Sequence, residues 1–476
     1  MASVIAAAAP HRERNPGGYV RDALWLSALA LLIRVVLVLW AKDRFPPADD
    51  GSFYHVVAQR IALGAGYTWL WPDGSVTYAA HYPVGYPALL GLVYALFGAR
   101  PVAAMGANAV LGALAVFAAQ RALVLCGTRR QALLGGLLLA LHPGLVGYTP
   151  ALMTEGVSAE LLVIVAWLTL RAGAGRGLGA RLILVGACAG ALTLVRPQLV
   201  VLAPVFGFFS LSSGAACYRE RLLRALLVGG VAVSMCLPWT LRNCARMDRC
   251  VFVSANGGWN LLIGSLSEAK GAWAPIEGST VPSECRTVFA EAEKDRCFGH
   301  AGLARIRANW AGFLALVPRK LAMTFDYFGA PGHYLHTSNA RAFGDRAKLW
   351  LGIVETVWER LVLLVAILQS ARLGTRRRPG SLMAALPAAL FALLHSGYVA
   401  YLGFVLSALL SGKRLLKRPL LALSASAVLA TALTHALFFG AGRYGFVCAG
   451  LLCLAAAGGG APGGKGEGHG GEVPAQ

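Results

Sequence analysis

Residues 23–55 read ALWLSALALLIRVVLVLWAKDRFPPADDGSFYH. The stretch 23–41 is apolar apart from Ser27 and Arg34, and at about 1.5 Å of rise per residue it crosses roughly 30 Å of hydrocarbon as a helix. The chain then breaks at Pro46-Pro47 and presents the acidic pair Asp49-Asp50. Such runs recur from end to end: 57% of the 476 residues are hydrophobic and 14% charged, which excludes an ordinary soluble fold. The fold class that follows is an all-α polytopic membrane protein.

The net charge of +21 would suit nucleic acid, but the basic residues cluster in short loops between apolar runs. That is the positive-inside pattern, and no nucleic-acid partner is expected. The clusters are Arg12–Arg21, Arg129-Arg130, Arg171–Arg181, Arg219–Arg224, Arg372–Arg378 and Lys413–Arg418. Placing them all in the cytoplasm predicts about twelve spans. These are 23–41, 101–125, 131–149, 156–171, 182–196, 198–213, 225–241, 347–371, 381–395, 398–411, 420–438 and 444–458. In 381–411 two crossings share little chain, so a re-entrant pair is the alternative there. The stretches 83–98 and 310–328 would break the charge rule as spans and are expected to lie along the outer interface. No small-residue cleavage site follows Arg12, Arg14 and Arg21, so the first helix is expected to be a retained anchor.

This organisation divides the chain into a transmembrane module at 1–241 with an external loop at 42–100, an external segment at 242–345, further spans at 346–458, and a Gly-rich tail at 459–476 expected to be disordered. Both termini are expected in the cytoplasm and the polar loops outside the cytoplasmic membrane. Cys244, Cys250, Cys285 and Cys297 all fall in the external segment. An even number in an oxidising compartment points to disulfides, in any of three pairings, of which Cys244–Cys250 with Cys285–Cys297 is the most local. A zinc site is the rival, against which stands the lack of any CxxC spacing.

Acid–base chemistry has few places to reside, since the chain holds only 22 acidic residues. Asp49-Asp50 precedes an expected helix at about Ser52–Leu63, which one carboxylate caps, leaving the other free for chemistry. Glu155, in the turn Met153-Thr-Glu155, either caps the next helix or faces the same cavity. Arg242, in Leu237-Pro-Trp-Thr-Leu-Arg-Asn243, is a snorkelling charge or a phosphate ligand. The glycines of Ser254–Gly264, around Asn256, permit close backbone approach to a ligand. Arg443, at Ala441-Gly-Arg-Tyr444, is a phosphate ligand or half of a structural ion pair. His81, Lys270, Arg196 and His435 are lesser candidates. No cofactor is required; a divalent metal ion is left open.

Taken together these pieces resemble the GT-C family of integral-membrane glycosyltransferases, and within it the branch of protein O-mannosyltransferases and the lipid A aminoarabinose transferase. The elements that carry the resemblance are Asp49-Asp50 with Tyr54 and Gly64-Ala-Gly-Tyr67, the motif Tyr82-Pro-Val-Gly-Tyr-Pro-Ala-Leu-Leu90, and His142-Pro143 ahead of Met153-Thr-Glu155. Pro238-Trp-Thr-Leu-Arg-Asn243, Asn256-Gly-Gly-Trp-Asn260 and Arg443-Tyr444 complete it. The resemblance implies a helical bundle with a cavity at the outer face and a sugar donor carried on polyprenyl phosphate. Asp49 would match the acidic residue on which catalysis depends, Asp50 its acidic neighbour, and Glu155 a second acidic position. Tyr54, His81, Tyr82, Arg242, Asn256, Lys270, Arg443 and Tyr444 would contact substrate. The acceptor is left open as lipid, glycan or protein.

The chemistry suits that reading. A polyprenyl phosphate departs as an anion without a strong acid, so one carboxylate to take the acceptor's proton and cations to hold the phosphate suffice. This differs from the paired carboxylates of glycoside hydrolases, and direct displacement inverts the anomeric centre. A cavity opening sideways between the helices at 83–98 and 310–328 would keep the lipid tail in the membrane. The rival readings are a secondary transporter or lipid flippase, which favours repeated halves and mid-membrane breaks, and an O-antigen polymerase or ligase.

Overall fold

A computed structural model of the chain describes residues 16–173, 178–210, 217–373 and 380–458. Arg12 and Arg14, parts of the basic loops at 174–177 and 374–379, and the Gly-rich tail lie outside these residues. The described chain forms twenty α-helices and one hairpin, in which Thr68–Leu70 pairs antiparallel with Val76–Tyr78. It is an all-α polytopic membrane protein. Six helices are long and apolar enough to cross a membrane: Gly17–Ala41, Pro101–Cys126, Thr154–Gly173, Leu178–Val195, Tyr218–Arg246 and Pro419–Leu437.

The other expected spans are helical but shorter or more charged. Asp345–Ala371 carries Glu355 and Glu359, both buried. Gly380–Leu393 and Gly397–Leu410 have 14 residues each, or about 21 Å, and hydroxyl hydrogen bonds among Ser370, Ser381 and Ser407 tie them to each other and to Asp345–Ala371. The span expected at 131–149 is broken. Thr128 and Gln131 form a reciprocal capping box, the helix runs Arg129–Ala140, and His142 then turns extended at φ −61°, ψ 115°. Pro143 is the cause: its ring disfavours a helical residue before it, and it brings no N–H. The short helix Pro143–Gly147 then leads to the turn before Glu155.

The two stretches expected to lie along the interface are helical, as Gly85–Phe97 and Trp310–Phe325. Within residues 242–345 Cys244 is bonded to Cys250 and Cys285 to Cys297. Within the bundle, the buried Arg34 faces Glu160 at 3.6 Å, linking Pro16–Ala41 to Thr154–Gly173.

Candidate active site

The loop after Pro16–Ala41 is pinned before it reaches the acidic pair. Asn339 donates to the Arg44 carbonyl, Ser338 to that of Pro46, and Ser52 to that of Pro47. The helix expected from about Ser52 begins earlier, at Asp50, and runs to Ala62. Asp49 occupies the cap position but makes no side-chain cap hydrogen bond. Its backbone is the reason: at φ 49°, ψ −133° it has the conformation of the first central residue of a type II′ turn, ordinarily a glycine position. The carboxylate therefore points away from the helix end, exposed and without a partner among the described residues.

Asp49 lines a cavity of about 1010 Å³ shared with Asp50, Glu155, Arg196 and Arg443. Asp50 accepts a 2.7 Å hydrogen bond from the Tyr82 hydroxyl and a 2.8 Å hydrogen bond from Arg443. Arg443 donates further to the hydroxyls of Tyr334 and Tyr444, and its Nε lies 3.8 Å from Glu155. Glu155, buried, takes a 2.7 Å ion pair from Arg196. The Arg196 guanidinium lies over the Tyr444 ring, its Nε has no hydrogen-bond partner, and the His435 ring stacks against that of Tyr444 at 4.2 Å. Three carboxylates thus meet two guanidinium groups, and the unpaired one is Asp49.

An aromatic floor supports this charge cluster. Tyr54 is buried edge-on against Tyr82 and Tyr86, and the Tyr67 hydroxyl donates to the Tyr82 carbonyl. Burial, with the Asp50 charge second, pushes the Tyr82 phenol well above its ordinary value, so its proton stays on the Asp50 hydrogen bond. Burial lowers His81, partly offset by Asp50, which favours the neutral imidazole. Gly85 lets the Tyr82-Pro-Val-Gly turn press on the end of Leu178–Val195: a Cβ there would sit 2.6 Å from backbone atoms of Leu194 and Val195. Tyr82 and Arg196, at the two sides of that contact, both line the cavity.

Of the residues singled out in the sequence, Asp49, Asp50, Tyr54, His81, Tyr82, Glu155, Asn256, Arg443 and Tyr444 gather on this cavity, along with the lesser candidate Arg196. Arg242 and Lys270 do not line it. Arg242 donates to the carbonyls of Ala79 and Tyr67 and stacks 4.6 Å over Trp239, so its donors are taken up in bracing the loop. Lys270 sits in a turn at φ 50° with its backbone N–H on Ser267. Arg443 takes the ion-pair alternative, with Asp50. The expected side walls are also corrected: Pro83 and Tyr327 line the cavity at the ends of the two interfacial helices, and the helix bodies do not. Tyr334 was not foreseen; the one local signal was the Pro331-Gly332 helix start in an external segment. Among the described residues no three His, Cys, Asp or Glu side chains come together as ligands for a metal ion. Asp50 and Glu155 are instead held by arginines.

Fold and cavity together define a polytopic membrane protein whose polar centre sits where helix ends and loops meet. Residues 81–241 match the family model described as dolichyl-phosphate-mannose-protein mannosyltransferase. That match bears out the resemblance to the GT-C glycosyltransferases and supports a membrane glycosyltransferase. Among solved structures, the chain is similar to the apo oligosaccharyltransferase of Archaeoglobus fulgidus (14% identity, TM-score 0.47, covering 92% of this chain and 50% of that one). It is similar also to AglB from the same organism with an inhibitory peptide and a dolichol-phosphate (16%, TM-score 0.45, 92% and 50%). A third is ArnT from Cupriavidus metallidurans bound to undecaprenyl phosphate (16%, TM-score 0.40, 91% and 77%). The chain spans about half the length of the archaeal enzymes. No curated protein matches.

Proposed function

We propose that this protein transfers a sugar from a polyprenyl-phosphate carrier to an acceptor hydroxyl, at the outer face of the cytoplasmic membrane, with inversion at the anomeric carbon. The observation that carries the reading is the unpaired Asp49 in a cavity whose other carboxylates are each held by an arginine. The match of residues 81–241 to a family named for a lipid-phosphate-linked sugar supports the donor class. Asp49 takes the proton of the acceptor hydroxyl as its oxygen bonds to the anomeric carbon. The bond from that carbon to the phosphate oxygen breaks, and the electron pair leaves with the lipid phosphate. Arg196, which lines the cavity and whose buried Nε has no hydrogen-bond partner, receives the phosphate; Arg443 holds Asp50 and the tyrosines in place around it.

Washed membranes incubated with labelled polyprenyl-phosphate sugars test this directly. Label is expected to move to an acceptor in membranes carrying the wild-type chain and not in those carrying Asp49→Asn. Vectorial movement of the lipid-linked sugar without transfer would defeat the reading in favour of a flippase.

A further inference from the structure

The helix Glu291–Ala308 lies outside the family-matched segment, yet its first turns reach both rims of the cavity. Glu291 and Asp295 are one turn apart and share a face. The Glu291 carboxylate accepts the Ala80 N–H at 3.0 Å, across 211 residues of sequence, and also the His81 N–H. The Asp295 carboxylate accepts the Trp259 N–H at 3.0 Å and that of Gly258. These are loop and helix-start amides with no ladder or preceding turn to satisfy them, so they depend on such acceptors.

The two rims so held meet each other. The His81 ring packs edge-on against Trp259 at 5.5 Å, and Ala255 N–H donates to the Ala80 carbonyl at 2.7 Å. Gly258 approaches so closely that a Cβ there would collide with the Asp295 carbonyl, and Trp259 rests on Phe298 of the same helix at 4.6 Å. The Cys285–Cys297 bond ties the helix to the preceding segment. From Ala80–His81 the next residue is Tyr82, whose hydroxyl holds Asp50.

We infer that Glu291 and Asp295 are positioning residues: without touching substrate, they hold the Ala80–Tyr82 rim and the Gly258–Trp259 rim in register around the acidic pair. For its catalytic arm this rests on the function proposed above. Facing Glu291 are Arg242 from the neighbouring helix, Tyr67 from the first loop and Asp295 on its own helix. Burial raises the Glu291 carboxyl to about 6. The neutral carboxyl is thus the form that the folded protein favours, and it still offers an oxygen to the amides.

Amide hydrogen exchange on the full-length protein in detergent, followed by mass spectrometry, reads the brace without any substrate. Glu291→Ala is expected to deprotect peptides covering residues 79–82 while sparing 257–260, and Asp295→Ala to do the reverse. Unchanged protection in both variants would overturn the inference. In the transfer assay with polyprenyl-phosphate mannose, Glu291→Ala should lower kcat by up to about a hundredfold, since a displacement near 1 Å costs that order of rate, with donor KM little changed. Glu291→Gln, which keeps an acceptor oxygen for the amides, should retain most of the rate at pH 7 and the wild-type protection of residues 79–82. A Glu291→Gln variant as slow and as deprotected as Glu291→Ala would count against the assignment. Failure of the wild type to use any polyprenyl-phosphate sugar would overturn the proposed function and leave the exchange result standing.

Discussion

At the residue scale, three carboxylates in the cavity face two guanidinium groups, and the one left over sits on a strained backbone. Strain of this kind costs about 1–3 kcal/mol and persists where surrounding structure imposes it. Asp49→Gly should therefore raise the melting temperature in detergent while abolishing transfer; an unstable or active Asp49→Gly protein would refute the combination. Asp49→Asn should also abolish transfer, with expression and insertion intact. Arg196→Ala should weaken donor use far more than Arg196→Lys, because lysine keeps the charge but loses the fork, and equal donor kinetics in both would move the phosphate elsewhere. Glu291 gives a stability effect of known sign. Its folded value of about 6 exceeds the ordinary 4.5, so its stabilising contribution is full below pH 4.5 and lost as pH rises through about 6. At neutral pH the charged Glu291 costs at most about 2 kcal/mol, and Glu291→Gln should melt higher than wild type there.

At the scale of elements, what the sequence revealed was whatever local pattern encodes. Apolar runs marked the helices, including Pro101–Cys126 to within a residue, because hydrocarbon demands length and leaves little choice of residue. The acidic pair, Glu155 and Arg443-Tyr444 stood out because charge is scarce at those helix ends. The break at Pro143 was hidden inside an apolar run, although the His142-Pro143 step encoded it. Arg242 was misjudged because its binding partners are carbonyls of Tyr67 and Ala79, 175 and 163 residues away, and carbonyls carry no side-chain signature. The Asp50–Arg443 contact was hidden for another reason: both charges were visible, but 393 residues of sequence separate them. Gly85 tests how closely elements set the site. A side chain there must displace the backbone at Leu194–Val195 and with it Arg196, so Gly85→Val should lower transfer even in preparations where the protein remains folded. Normal turnover in that variant would show that the turn and Arg196 need not touch.

At the scale of the whole molecule, the helices that deliver Asp49 and Glu155 are cross-linked in the membrane interior. Pro16–Ala41 leads to the acidic pair, Thr154–Gly173 begins beside Glu155, and the buried Arg34–Glu160 pair joins them. Gly112 of Pro101–Cys126 leaves the room for it, since a Cβ there would collide with the Arg34 guanidinium. Such a pair is weak evidence for net stability, because two ions removed from water repay their desolvation only with good geometry, and at 3.6 Å this contact is loose. Breaking one side is different: it leaves a lone charge in hydrocarbon, at about 3 kcal/mol. Arg34→Met should therefore lower the melting temperature sharply, and Glu160→Leu should do the same. The double variant Arg34→Met with Glu160→Leu should recover most of the loss, because apolar side chains of similar volume then fill the gap between the helices. Transfer separates two roles for the pair. If it only packs the bundle, activity returns with stability in the double variant; if its charges set the register of the helices, stability returns and activity does not. The 3.6 Å separation and the glycine-made space favour packing, so recovery of both is the expected result, and a stable but inactive double variant would show that the interior pair sets the geometry of the outer cavity.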